Sequence, residues 1–281
     1  MTHSTGRPSA ALTVLNSLAG DRNPRGMAGA RAIGIELETR LAMKSTVIGQ
    51  PRAVLGLGWR EELTEAVSAL GALARHYDDI YASGLVPVTA LNRCAGALAT
   101  LPVVARHHPE AVVVWLDAHA DMNTPHNTLT GYLGGLALSG PLGLWESGLG
   151  AGLLPANVVL VGARDIDPPE RSLLQGGLVR LVPPGPGLVK ELRRVLADRP
   201  AYLHLDCDVL EPGIVPTEYS VPNGLSLAEL RAVAELLANS RVVGLEVAEF
   251  EASWADDDEP ASPSSLLDAL MPAIDAANRA G

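Results

Sequence analysis

The sequence is poor in cysteine, in basic stretches and in long apolar runs, and each shortage closes off a class of protein. Only two cysteines, Cys94 and Cys207, occur in 281 residues. That is too few for a disulfide framework, so the cytoplasm is the expected compartment. No run approaches the ~20 apolar residues that span a bilayer. The opening segment Met1–Ala10 has neither the basic start nor the apolar core of a signal peptide; about residues 1–9 are expected to form a flexible tail. No stripe of lysine and arginine is present to neutralise phosphates, and the formal net charge is -11, which argues against nucleic acid. That acidity does not make the substrate basic, because surface acids ordinarily serve solubility. No stretch is low enough in complexity to read as a linker.

What is present is a chain 47% hydrophobic and 19% charged, able to bury a sizeable core. A single domain over residues 1–281 is expected. Short runs rich in Val and Leu, without clean alternation, suit strands buried on both faces of a parallel sheet. They fall at residues 10–15, 46–49, 85–89, 111–116, 157–161, 178–181, 201–205 and 242–247. Helical patterns lie between them, as at 60–75, 95–107, 189–196 and 227–237. Ser226 and Glu229 have capping-box spacing, and Ser262-Pro263 reads as a cap with proline opening the last helix. Alternating strands and helices imply a three-layer α-β-α fold around a mostly parallel sheet of about eight strands. In such sheets ligands sit at the carboxyl ends of the strands.

Two of those ends carry carboxylates. The run ending at Leu116 leads into Asp117-Ala-His119-Ala-Asp121, and the run ending at Leu205 into Asp206-Cys-Asp208. Residues two apart in extended backbone point the same way, so each set is expected to share a pocket. One aspartate at a strand end is ordinarily a turn or a cap. Four carboxylates so close repel unless cations lie between them. Oxygen ligands with one imidazole suit Mn²⁺ better than a soft metal, and two bridged cations lower the pKa of a shared water. Cys207, between two such aspartates, is expected on the opposite face. His204, inside a strand, is expected to be packed rather than liganding, and His126 is a candidate for the pocket entrance.

These segments resemble the arginase/agmatinase (ureohydrolase) family over nearly the whole chain. The resemblance rests on Trp115–Pro125, Leu205–Pro212, Val161–Glu170 and Val243–Glu249, four motifs in the family's order. It implies hydrolysis of a guanidino group by an enzyme with two Mn²⁺ ions. Asp117 and Asp206 would bridge the ions, His119 and Asp208 would complete one site, and Asp121 would serve the other. Asp121 and Glu249 would be catalytic, with Glu249 facing the substrate guanidinium, a planar cation that matches a carboxylate. Asn123, Thr130, Asp167 and Glu170 resemble the residues that hold an α-carboxylate and α-amino group. A decarboxylated substrate would leave such groups unpaired at a cost, so an α-amino acid is preferred.

The sequence also departs from the family. Where most members carry Gly-Gly-Asp-His-Ser, Arg93 stands in place of the Asp and Cys94 in place of the metal-binding His. A thiol is a poorer Mn²⁺ ligand than imidazole, so the site near Cys94 should hold metal weakly. Gly134 falls where arginases place a second His as proton shuttle. The family branch that hydrolyses Nω-hydroxy-L-arginine to hydroxyurea and L-ornithine, in D-cycloserine biosynthesis, shares the cysteine and a continuation similar to Ala99–Arg106. That reaction is the expectation. An ordinary arginase or other guanidino-acid hydrolase, and a metal-depleted binding protein, are the alternatives. Oligomeric state is open.

Overall fold

The computed structural model describes residues 9–256 and 258–279. Eight parallel strands form one sheet: β1 (Ala10–Leu15), β2 (Thr46–Ile48), β3 (Val86–Ala90), β4 (Val112–Leu116), β5 (Val158–Val161), β6 (Arg180–Val182), β7 (Ala201–Asp206) and β8 (Val242–Ala248). Their spatial order is β2-β1-β3-β8-β7-β4-β5-β6. The central strands β3, β8, β7 and β4 are buried at every position, which is why their sequences show no polar alternation. The edge strands β2 and β6 are three residues each and partly exposed, short enough to give little template for further pairing.

Helices cover both faces. α1 (Arg25–Leu41), α5 (Leu188–Leu196), α6 (Leu227–Leu237) and α7 (Ser264–Arg279) pack on one side, where Val112, Val114 and Leu116 of β4 point. α2 (Trp59–Ala82) and α3 (Ala97–His107) pack on the other, against Val113 and Trp115, with Leu173 and Leu174 of α4 (Pro168–Gln175). The three-layer fold is as expected.

Element bounds differ in instructive places. α2 runs seven residues past its expected end, because its buried stripe continues from Leu70 and Leu73 to Tyr77 and Ile80. The expected α3 start at Ala95 is instead a 3-10 turn over Cys94–Gly96. β6 starts two residues late. The capping box at Ser226 is present, with Ser226 Oγ accepting from Glu229 N–H. The last helix begins at Ser264, and Ser262 Oγ accepts its N–H at 3.3 Å. Of the expected flexible tail, residues 1–8 lie outside the described residues; Ser9 is held, its carbonyl accepting from Val86 N–H at 2.7 Å.

Candidate active site

Four neighbouring strands deliver the chemistry-bearing residues to one end of the sheet. Asp117 follows β4, Asp206 closes β7, Glu249 follows β8, and Cys94 lies four residues beyond β3. The backbone after β4 does not stay extended, contrary to the expectation. It turns, and Asp121 takes a left-handed conformation with φ 49°. The Asp121 carbonyl accepts from Leu138 and Ser139 N–H, which ties the turn to the following loop. Asp117, His119 and Asp121 therefore converge through a fold of the chain rather than through strand alternation. Cys207 points away into the core beneath α6, as expected.

Backbone and side-chain donors hold the carboxylates. Asp117 accepts from Trp115 Nε1 at 2.9 Å and from His119 N–H at 2.6 Å. Asp208 accepts from Ala118 N–H at 3.0 Å, and Asp206 from Asp208 N–H at 2.8 Å. His119 Nδ1 lies 3.0 Å from Asp208 Oδ2 and 3.3 Å from Asp117 Oδ1. Burial, then the negative charges of their neighbours, push Asp121 and Asp206 well above the usual carboxylate range. Asp208 is pushed up to about 6, chiefly by burial and by Asp117. Burial would lower His119, but its hydrogen bonds to Asp117 and Asp208 outweigh that and raise it. So much buried negative charge is stable only with protons or cations among the oxygens.

The donor set fits cations. Among the described residues, three groups each bring their ligand atoms within 4.8 Å of one another: Asp117, His119 and Asp208; Cys94, Asp117 and Asp121; and Cys94, Asp206 and Glu249. Carboxylate oxygens dominate, with one imidazole and one thiol, a set suited to a hard or borderline divalent ion. Cys94 belongs to two of the three groups. Its Sγ lies 3.0 Å from Asp206 Oδ2 and 3.2 Å from His204 Nε2.

His204 is packed, as expected, and stacks on Trp115 with ring centroids 3.6 Å apart. It is also the front of a buried polar network that sequence reasoning misses. Its Nδ1 lies 2.7 Å from Glu246, which also accepts from Thr100 Oγ1 and Tyr202 OH. Glu246 is the alternate residue of β8 that faces inward, and an acid in an otherwise apolar strand is the available signal.

Glu249 has its carboxylate engaged on both oxygens. Arg93 Nη1 donates to Oε2 at 2.7 Å, while Cys94 N–H and Tyr132 OH donate to Oε1 at 2.8 and 3.2 Å. Arg93 is wholly buried. Its other nitrogens meet Asp21, Glu218 and Glu251 at 3.0 to 3.2 Å. Tyr132 occupies the space beside Gly134: a Cβ there would lie 2.9 Å from the Tyr132 Cζ atom, closer than real contacts allow.

Of these groups Cys94, His119, Asp121, Tyr132, Asp206, Asp208 and Glu249, but not Asp117 or Arg93, line a cavity of about 190 Å³, the scale of a small amino acid rather than a large ligand. Asn123, Thr130, Asp167 and Glu170, the residues expected to hold the α-carboxylate and α-amino groups, line it as well. Asn123 Nδ2 donates to Asp167 at 2.8 Å. Asp167 and Glu170 form a capping box at the start of α4, so the same two acids that face the cavity fix the helix. Burial lifts Glu170 to about 7. The Asn123 Oδ1 atom is buried and unpartnered, available to a ligand. Tyr132, Asp165 and Tyr219 also line the cavity and are absent from the sequence-based expectation; nothing in their local sequence marks them. His126 is exposed on the 124–128 turn and is not among the residues that line it.

Comparison with known proteins agrees with this geometry. A family model described as the arginase family matches residues 61–264. An N(omega)-hydroxy-L-arginine amidinohydrolase of Streptomyces lavendulae is 41% identical over 95% of this chain and 97% of its own length. Human mitochondrial arginase-2 is 30% identical over 79% of this chain and 66% of its own. Among solved structures, Entamoeba histolytica arginase in complex with L-ornithine superposes with a TM-score of 0.81 at 20% identity, covering 94% of this chain and 99% of that one. Proclavaminate amidinohydrolase of Streptomyces clavuligerus gives 0.70 at 21% identity, covering 98% and 94%.

Proposed function

This chain belongs to the arginase family of metal-dependent amidinohydrolases, and from that premise we propose that it hydrolyses Nω-hydroxy-L-arginine to hydroxyurea and L-ornithine. The observation that carries the proposal is the thiol of Cys94 standing where two donor groups meet. The Streptomyces lavendulae relative supports the choice of substrate by the activity in its name.

In this reading Asp117, His119, Asp206, Asp208, Cys94 and Asp121 would hold two Mn²⁺ ions, with His119 and Asp208 serving one and Cys94 and Asp121 the other, weaker one. When bound, the ions lower the pKa of a water and polarise the guanidino carbon. The chain's own groups do the rest. Asn123, Thr130, Asp167 and Glu170 hold the α-amino and α-carboxylate groups, fixing the reach of the side chain into the cavity. Glu249 faces the hydroxyguanidino group. Asp121 takes the proton released as water adds to the guanidino carbon and passes it to the side-chain nitrogen of ornithine as the C–N bond breaks. No imidazole at position 134 assists, and a hydroxyguanidine, less basic than a guanidine, asks less of such an acid. The chain works as one catalytic domain over residues 1–281. Its two cysteines are free and buried, which fits the cytoplasm, and among the described residues no helix is long and apolar enough to cross a membrane.

The test is kcat/KM for Nω-hydroxy-L-arginine, L-arginine and agmatine at saturating Mn²⁺. A preference of ~100-fold for the hydroxylated substrate requires about 2.7 kcal/mol between transition states. Equal or greater kcat/KM for L-arginine returns the protein to the ordinary arginases.

A further inference from the structure

We propose that Arg93 is a specificity-determining residue: by occupying Glu249 from behind, it denies that carboxylate to a fully charged guanidinium and so selects a less basic substrate group. The inference rests on the reading of Glu249 as the residue that meets the substrate's guanidino end.

The geometry is that of a built site for an internal guanidinium. Arg93 is wholly buried, and its Nη1 donates to Glu249 at 2.7 Å. Nε is held by Asp21 at 3.1 Å, and Nη2 by Glu218 and Glu251 at 3.0 and 3.2 Å. Gly26 of α1 makes the room: a Cβ there would lie 2.9 Å from the Arg93 Cζ. Asp21 is in turn fixed by Asn92 and by Ala19 N–H. The guanidinium therefore cannot swing aside to free Glu249 without abandoning three other carboxylates.

A carboxylate has about four acceptor directions. Arg93, Cys94 N–H and Tyr132 OH use three of them on Glu249. One direction remains toward the cavity, enough for a single hydrogen bond and too few for the two-pronged pairing that makes a guanidinium–carboxylate contact strong. A cationic guanidinium placed there would also face the Arg93 guanidinium across Glu249, an oxygen of which Arg93 already holds at 2.7 Å. A hydroxyguanidine gives up its proton more readily than a guanidine, so it can enter uncharged and use the single remaining acceptor direction. Arg93 does not touch the reacting atoms; it acts through Glu249.

The test is binding, using L-arginine and its neutral isostere L-citrulline on the manganese-loaded full chain by titration calorimetry. In the unmodified protein the two dissociation constants are expected to agree within about threefold. Arg93→Gln should favour L-arginine over L-citrulline by tenfold or more, while Arg93→Lys, which keeps the charge, stays near the unmodified ratio. Glu249→Gln, which leaves Arg93 its three other partners, should change the ratio less than threefold. The proposal is overturned if the unmodified protein already prefers L-arginine by more than tenfold, if a folded Arg93→Gln chain gains no relative affinity for it, or if Glu249→Gln costs L-arginine more than tenfold. Should Arg93→Gln not fold, the Glu249→Gln ratio decides alone. Turnover of Nω-hydroxy-L-arginine by the same preparation is read separately. Its absence would sink the proposed reaction while leaving the binding ratio to decide the role of Arg93.

Discussion

Gly29→Ala sets two well-understood effects against each other. Gly29 lies inside α1, and helix propensity alone predicts that alanine stabilises it by about 1 kcal/mol. The packing predicts the reverse. A Cβ at Gly29 would fall within van der Waals contact of the Phe250 carbonyl oxygen, 2.7 Å from the carbonyl carbon and 3.1 Å from Glu251 Cα. The obstacle is backbone, so no rotamer change relieves it. Helix and loop must part, and overpacking of that kind costs roughly 1–3 kcal/mol. Because the obstacle is rigid, the upper end applies, and the net expectation is destabilisation of about 2 kcal/mol. Phe250 lies between Glu249 and Glu251, so the same displacement moves two of the four acids that hold Arg93. A shift approaching an ångström can cost up to about a hundredfold in rate, and kcat/KM should fall at least about tenfold. Urea unfolding curves and steady-state rates measure both. Gly71→Ala in α2 is the matched comparison: its nearest foreign atom would be the mobile Arg75 Nη1 at 3.5 Å, so it should gain stability. A Gly29→Ala chain as stable as the parent, with unchanged activity, would refute the packing account.

Three further outcomes are expected. Asp206→Asn should lose manganese and activity together, measured by metal analysis after dialysis; full activity in that variant would end the metal-hydrolase reading. Cys94→His should raise manganese occupancy, because imidazole is the better ligand, and lower the melting temperature, because Cys94 is packed between His204 and Asp206. Glu170 should make ligand binding depend on pH. Its folded pKa is raised from 4.5 to about 7, first by burial, so its contribution to stability is complete below about 4.5 and lost as pH rises through about 7, a change on the order of 3 kcal/mol. An α-ammonium group reverses the preference, so affinity for L-ornithine should rise with pH across 7 with proton release, and Glu170→Gln should flatten the slope.

The sheet is legible in the sequence because its strands are buried on both faces, and continuous Val/Leu runs of strand length, bounded by turn residues, mark that setting. The carboxylate motifs are legible because each sits directly after such a run. What the sequence does not convey is how Asp121 arrives. Strand alternation selects the right companions for the wrong reason, since the turn depends on a left-handed residue whose need arises only from the 138–139 contacts. α1 carries Gly26, Gly29 and Gly34, which depress helix propensity and hide it. Those glycines exist for close approach to Arg93, Phe250 and Val14, contacts with residues distant in sequence. Tyr132, Tyr219 and Asp165 are invisible for the same reason: a cavity wall assembled from separate loops has no local pattern.

Taken position by position, Arg93, Cys94 and Gly134 look like three independent losses from a metal site. Their contacts make them one set. The absence of a side chain at Gly134 leaves the space that the Tyr132 ring fills. The Tyr132 hydroxyl reaches the Glu249 oxygen that also accepts from Cys94 N–H. The other Glu249 oxygen belongs to Arg93. Residues sharing one hydrogen-bond network do not contribute additively. A histidine restored at position 134 has to displace Tyr132, and an acid restored at position 93 faces Asp21, Glu218, Glu249 and Glu251 with only Arg25, paired to Glu251, as a cation among them, an arrangement that buried charge tolerates poorly. The three departures therefore hold one another in place, and the site behaves as a differently built pocket rather than as an arginase pocket with parts removed.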